Sequence, residues 1–451
     1  MSPERSLSLL LATSLILTGC GRKDTTTAGN VRVTYNCAAN VVEIKHLQDE
    51  LPRLADSTGI EIVLQPFTGP DKLYAMMAAG EPPDIFYTNT VMRDRLAAEG
   101  RLLDLRNVST DDPFLGRLWP DVYRQGLSAD GGLYSIGNWS FTAGVYFNKD
   151  LFDQAGLRYP DTAWTWSDMM AAARRLTVDA NGDGEPEHYG IFIPSHFIEV
   201  LELMNGAPVE QKSFFVDFSE ASREVFRQYV ALMNNQLMPD LRRVQAMGMQ
   251  ASQLLQTGRA AMLVEAVPHQ VLCEALTIPW GVAPIPRFGS RPVRYFRSAS
   301  GGLSISAQTA NPAAAWKALK WIIAGASIYQ PNPVLKDADF VTGWEARYPH
   351  LVGSGFREVW QSSLKYPAGD PRFFVRFSSW TSAPILEGLL PMLDRVWARD
   401  MTVDELAASL PGINRSVRKE LDRLLQRGDL RPEFVQAIKE QLSLAAREPQ
   451  R

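Results

Sequence analysis

A chain of 451 residues, 45% apolar and 21% charged, is long enough for two or more hydrophobic cores and has an ordinary globular composition. Its formal net charge is −4 with no long basic run, which argues against nucleic acid as a partner. No internal repeat or low-complexity tract is present, which argues against solenoid architectures.

The N-terminus reads as an export signal. Arg5 is a weak positive flank, and residues 7–17 form an apolar core too short to span a bilayer stably. Leu17-Thr18-Gly19-Cys20 follows, and small residues ahead of a Cys resemble the bacterial lipobox, in which the Cys is acylated. Polar residues 21–30 then suit a flexible tether. Val31, Val33 and Tyr35 alternate with polar residues as a first strand, with Asn36 near its end. Ile44, Leu47, Leu51 and Leu54 recur at helical spacing around Pro52, and residues 60–64 are a second strand. A short helix stops at Gly80, and Pro82-Pro83-Asp84 leads into the strand 85–87. Strand, helix, strand, helix, strand is the rhythm of an open parallel sheet, whose ligands bind beyond the carboxyl ends of its strands. That rule places Asn89 at a cleft, either as a ligand contact or capping its own backbone.

Residues 131–157 organise the rest. A Gly131-Gly132 turn precedes Trp139 and Phe141, which are flanked by Asn138 and Ser140. Aromatic faces beside amide and hydroxyl groups suit a polyhydroxylated ligand. An apolar strand runs from Gly144 to Phe147, and a short helix from Asn148 ends at Gly156. Thr165 with Asp168, and Thr402 with Glu405, fit capping boxes. Asp179, Asn181 and Asp183 fit positions 1, 3 and 5 of a calcium loop, with Gly184 at 6. Position 12 is Gly190, where a bidentate Glu belongs, so Glu185 and Glu187 are left as partial substitutes, and a plain polar turn is the other reading. Glu265 ends a buried strand that follows Gly258, as a cleft acid or a loop acid. Gly301 and Gly302 let backbones approach closely and let φ change.

Several of these stretches, in this order, resemble family 1 extracellular solute-binding proteins, the sugar receptors of ABC importers. They are AAGEPPDI (78–85), GVYFNKDLFDQAGL (144–157), DANGDGEPEHYG (179–190), TGRAAM (257–262), WGVAPIP (280–286) and SGGLSIS (300–306). The resemblance implies an α/β fold of two lobes, each a mostly parallel sheet flanked by helices, joined by hinge crossings. The expected first lobe is 31–142 and 299–345, the second 143–298 and 346–426, with 1–20 the signal, 21–30 the tether and 427–451 a tail. It implies a ligand set of Asn36, Asn89, Trp139, Glu265, Gly301, Gly302 and Trp380, the last either in the cleft or in the core. Cys37 and Cys273 could form a disulfide in an exported protein. The implied topology puts them on different lobes, so buried free thiols are expected.

The expectation is a monomeric lipoprotein, anchored through Cys20 outside the cytoplasm. It would capture a carbohydrate by hinge closure and pass it to an ABC importer permease, with no cofactor beyond a calcium at the 179–187 loop. Clustered Arg, which a phosphate ester would want, is missing from the cleft candidates. The alternatives are an envelope hydrolase of glycosides, which needs two carboxylates across the bond, and a receptor reporting to a membrane sensor. No Ser-His-Asp order, HExxH motif or nucleophile elbow favours an enzyme.

Overall fold

The computed structural model describes residues 31–37, 41–67, 69–128, 130–205, 215–216, 218–287, 298–299, 301–326, 332–365 and 382–447. Cys20 and Trp380 lie outside them. The strands are β1 (Val31–Cys37), β2 (Ile60–Pro66), β3 (Ile85–Thr88), β4 (Ser140–Asn148), β5 (Met262–Val267), β6 (Trp280–Pro284), β7 (Ser298–Ala299) and β8 (Gly302–Ile305). They form two sheets, ordered β2-β1-β3-β8 and β5-β4-β6, with β7 on the edge of β4.

The first sheet is mostly parallel: β1 runs parallel to β2 and β3, and only β8 is antiparallel. Alternation along β1 sends Val33, Tyr35 and Cys37 into one core. That core also holds Leu47 and Leu54 of α1 (Val41–Thr58), and Trp316 and Leu319 of the helix Pro312–Trp321. Pro52 sits inside α1 without ending it. Asp84 ties the sheet together at the turn before β3. Its Oδ2 accepts from Thr34 N and Oγ1, both at 2.8 Å, and its Oδ1 accepts from Thr309 Oγ1 at 2.5 Å. α2 (Pro70–Ala78) and α3 (Thr90–Ala98) cover the other face.

The second sheet is mixed. β4 runs antiparallel to β5 and β6, while bridges from Tyr189 and Phe192 pair parallel with Ala260 and Leu263. Its two faces serve two cores, as a strand period of two requires. Met262 and Val264 enter a large cluster with Trp166, Phe226 and Leu393. Leu263 and Val267 enter a smaller one with Phe340, Trp344 and Trp360. Both capping boxes form, at the helices Trp166–Leu176 and Val403–Leu425. Cys37 and Cys273 are buried in separate cores and are not bridged to each other.

The second visit to the first lobe is shorter than the expected 299–345. Lys336 N donates to Arg117 O at 2.8 Å, and Asp337 pairs with Arg117 at 2.7 Å. Asp339 then caps the helix Phe340–Arg347, whose Phe340, Val341 and Trp344 enter the second lobe's core. Residues 427–447 include the helix Pro432–Arg447, with Phe434 and Ile438 buried.

Candidate functional site

The site begins where the two crossings meet. Ile136 and Leu303 exchange backbone hydrogen bonds at 3.0 and 2.8 Å. Ser140 and Phe141 then pair with Ala299 and Ser298. Glycine is required on the returning strand. A Cβ on Gly302 would lie 2.8 Å from Ile136 C and O, and one on Gly301, at φ +60°, would lie 2.3 Å from Tyr87 Oη. Asn332, fully buried, fixes the outgoing crossing to the first lobe. Its Nδ2 donates to Asn138 O at 2.8 Å and Ile323 O at 2.9 Å, and its Oδ1 accepts from Val334 N at 3.0 Å.

Several polar and aromatic groups surround this pivot at the carboxyl ends of the first sheet. Trp139 and Phe141 stack at 5.2 Å and 24°, both partly buried. Such pairs hold a flat apolar face without being fully withdrawn from solvent. Tyr87 is half-buried against Gly301, and burial raises its phenol above the ordinary range. Asn36 is 4% exposed, and its Nδ2 donates to Pro66 O at 3.3 Å while its Oδ1 has no partner. The register partner Gln65 on β2 also carries an unpartnered buried oxygen. Unsatisfied buried acceptors at strand ends suit a ligand that donates hydroxyl hydrogens. Ser140 Oγ, fully buried in the crossing, has no partner either.

Asn36, Gly301 and Gly302 therefore lie at one end of the first sheet, and Trp139 follows three residues after Ile136, which pairs with Leu303. Asn89 is at the same end, but its Oδ1 caps α3, accepting from Met92 N at 2.9 Å. Glu265 is apart from them. It lies opposite Gly144 on β4, five residues from Trp139, about 17 Å of extended strand. Its face is that of Leu263 and Val267, whereas Phe141 packs on the other face. There Oε1 accepts from Ala266 N at 2.8 Å, and burial pushes the carboxyl above the usual range. Glu265 thus stands on the second sheet, away from the aromatic pair on the first crossing. Tyr87, Gln65 and the pivot residue Asn332 were missed, because their roles come from pairings made far along the chain.

The 179–187 loop does not fit a calcium ion as arranged. Asp179 accepts from Gly182 N and Gly184 N at 2.7 and 2.9 Å, Asn181 from Asp183 N, Asp183 from Glu185 N, and Glu187 from Ala180 N. The side-chain oxygens close the loop's own turns. Among the described residues no group of three or more acidic, His or Cys side chains is placed to hold a metal.

Three comparisons bear on this arrangement. The solved fold is shared with an ABC substrate-binding protein from Listeria monocytogenes in complex with cycloalternan, at TM-score 0.69 and 21% identity, covering 86% of this chain and 99% of that one. It is also shared with the sugar-binding protein MalE from Xanthomonas citri, at TM-score 0.68 and 16% identity, covering 88% and 100%. A mannitol-binding protein of Pseudomonas aeruginosa is 40% identical over 80 residues, which are 18% of this chain and only 17% of that relative. The family model described as bacterial extracellular solute-binding protein matches residues 44–324, well over half of the chain. The paired crossings, the two sheets and this match lead to one assignment: the chain belongs to the bacterial extracellular solute-binding protein family.

Proposed function

We propose that the chain captures a carbohydrate or sugar alcohol at the pivot between its lobes and hands it to an ABC importer permease. The observation that carries this is the stacked Trp139–Phe141 pair on the outgoing crossing, taken with the half-buried Tyr87 and the unpartnered acceptor of Asn36 at strand ends of the first sheet. Aromatic faces stack on sugar C–H surfaces, and Asn36 Oδ1 accepts from a hydroxyl. A ligand touching the crossing and both lobes binds the closed arrangement better and so drives closure. The ligands named for the similar proteins, mannitol and cycloalternan, are of this polyhydroxylated class. Asn36, Trp139, Gly301 and Gly302 are proposed contacts, with Tyr87 and Phe141 added. Asn89 keeps its amide nitrogen and one lone pair of Oδ1 to offer.

A thermal-shift screen of the full chain against sugars and sugar alcohols tests the reading. A ligand at one hundred times its dissociation constant adds about 2.7 kcal/mol of stability. Saturable stabilisation by a member of the panel without turnover is the expected result. A folded protein that no polyol stabilises at millimolar concentration refutes it. Acylation of Cys20 is part of the same proposal: Cys20→Ala should move the protein from the membrane fraction to the soluble envelope fraction.

A further inference from the structure

We infer that the first lobe carries a second ligand site, apart from the polyol site, for a small carboxylate borne on a flat apolar group. A cavity of about 280 Å³ opens between the segment 112–117 and the end of the helix Pro312–Trp321. Asp112, Phe114 and Arg117 line it from the first, and Lys320, Trp321 and Ala324 from the second. None of the residues proposed to hold the polyol takes part. The walls are set by local structure. Phe114 is 4% exposed and packs edge-on against Trp316, at 5.8 Å and 86°. Trp321 is only partly buried. Just after it the helix widens into a π-turn, Ile322–Ala326, and the indole lies over Gly325, 3.6 Å from where a Cβ would stand. Ala324 beside it adds only a methyl group to the wall. Single π-turns on helices are frequent at functional sites. The volume is at the small end for ligand pockets and suits one ring with its substituent.

The charges in the lining choose the ligand's sign. Arg117 spends Nε and Nη2 on Asp337, at 2.7 and 3.3 Å, which leaves the two N–H groups of Nη1 without a hydrogen-bond partner among the described residues. Lys320 gives one of its three N–H groups to Asp112. Aromatic faces hold both cations in place. The Arg117 guanidinium is 5.8 Å from the Phe114 ring centre, and the Lys320 ammonium is 5.6 Å from that of Trp316. Asp112 is already engaged, since it accepts from Lys320, from Trp316 Nε1 at 2.9 Å and from Phe114 N at 2.9 Å. Asp337 stands outside the lining, which therefore sets two positive side chains against one negative. A guanidinium and an ammonium with spare donors bind a carboxylate, and the Phe114 and Trp321 rings pack on the flat group that carries it.

The test is isothermal titration calorimetry of the full chain with benzoate, benzamide and benzylamine, which are close in size and differ in charge. Charge-assisted hydrogen bonds are the stronger kind, so benzoate should bind saturably and at least about fivefold more tightly than benzamide, with benzylamine weakest. Arg117→Gln and Lys320→Gln should each weaken benzoate about threefold or more. Ala324→Leu should abolish its binding by filling the cavity. The Arg117 side chain is 42% exposed, so Arg117→Gln gives the answer if Lys320→Gln does not fold. Benzoate that fails to saturate the folded chain, or binds no better than benzamide, overturns the site. So does benzoate that binds Arg117→Gln and Ala324→Leu as tightly as the unaltered protein. Any polyol found by the thermal screen should bind Ala324→Leu with unchanged affinity, so this site and the proposed function stand or fall separately.

Discussion

Replacing Gly302 by alanine tests whether the two crossings act as one pivot. The new Cβ would lie 2.8 Å from both C and O of Ile136 and 3.1 Å from Gly137 N. All three are main-chain atoms, so no change of rotamer relieves the overlap. Restoring ordinary contact needs about 1 Å of separation between the strands. That stretches the Ile136–Leu303 bonds, now 3.0 and 2.8 Å, toward 4 Å, beyond useful hydrogen bonding. Two lost bonds cost about 1 kcal/mol each, and overpacking adds about 1–3 kcal/mol, part of which the separation relieves. The sum is about 2–4 kcal/mol, read as a lower urea midpoint at constant slope. Gly301→Ala is the control. Its φ of +60° costs about 1–2 kcal/mol in any background, but its clash is with the end of the mobile Tyr87 side chain. Tyr87→Ala should therefore lessen the cost of Gly301→Ala and leave that of Gly302→Ala unchanged. A Gly302→Ala loss below about 0.5 kcal/mol, the size of a neutral surface change, would mean the crossings part freely, and the pivot argument fails.

Asn332→Leu should cost about 2–4 kcal/mol in urea unfolding, because Asn138 O, Ile323 O and Val334 N lose their shared partner in a buried site; a neutral result would deny the clamp. Trp139→Ala should weaken polyol binding at least tenfold, about 1.4 kcal/mol, and calorimetric titration showing unchanged affinity would remove Trp139 from the site. Burial raises the Glu265 pKa above its unfolded value, so the native state holds its proton longer and stability falls as pH rises from the unfolded pKa to the folded one. Glu265→Gln should thus gain stability relative to the unaltered chain at neutral pH and not below the unfolded pKa; a pH-independent difference contradicts this. Thr402→Ala removes the side-chain half of a capping box, the Thr402 Oγ1 that accepts from Glu405 N, and should cost about 1 kcal/mol, measured the same way.

What the sequence made legible was whatever a few consecutive residues decide. Thr165 with Asp168 and Thr402 with Glu405 are three apart, so their geometry is written locally and both caps form. The strand rule put Asn89 at the carboxyl end of the first sheet for the same reason, since β3 leads directly into the helix that Asn89 caps. The face of a side chain is also local, but its consequence is not. Glu265 follows a buried run, and only pairing with β4 sets it over Gly144, on the face opposite to Phe141. The calcium reading failed at a similar point: the spacing of Asp179, Asn181 and Asp183 serves a metal or the loop's own N–H groups equally, and only the folded turn decides.

The residues that reading missed are those joined across long separations. Asn332 meets Asn138 across 194 positions, and Arg431 meets Tyr134 across 297. No periodicity encodes such a meeting. Its trace in sequence is only a polar residue in an apolar setting, Asn332 between prolines, or a basic residue opening an amphipathic helix. The chain's two lobes are therefore easier to read than the joints between them. A lobe is built from repeated local patterns, each buried by the next, whereas a joint depends on single contacts whose strength is set against the rotation they permit. Those contacts, at Gly302 and Asn332, are where a one-residue change should loosen the joint while leaving both lobes folded.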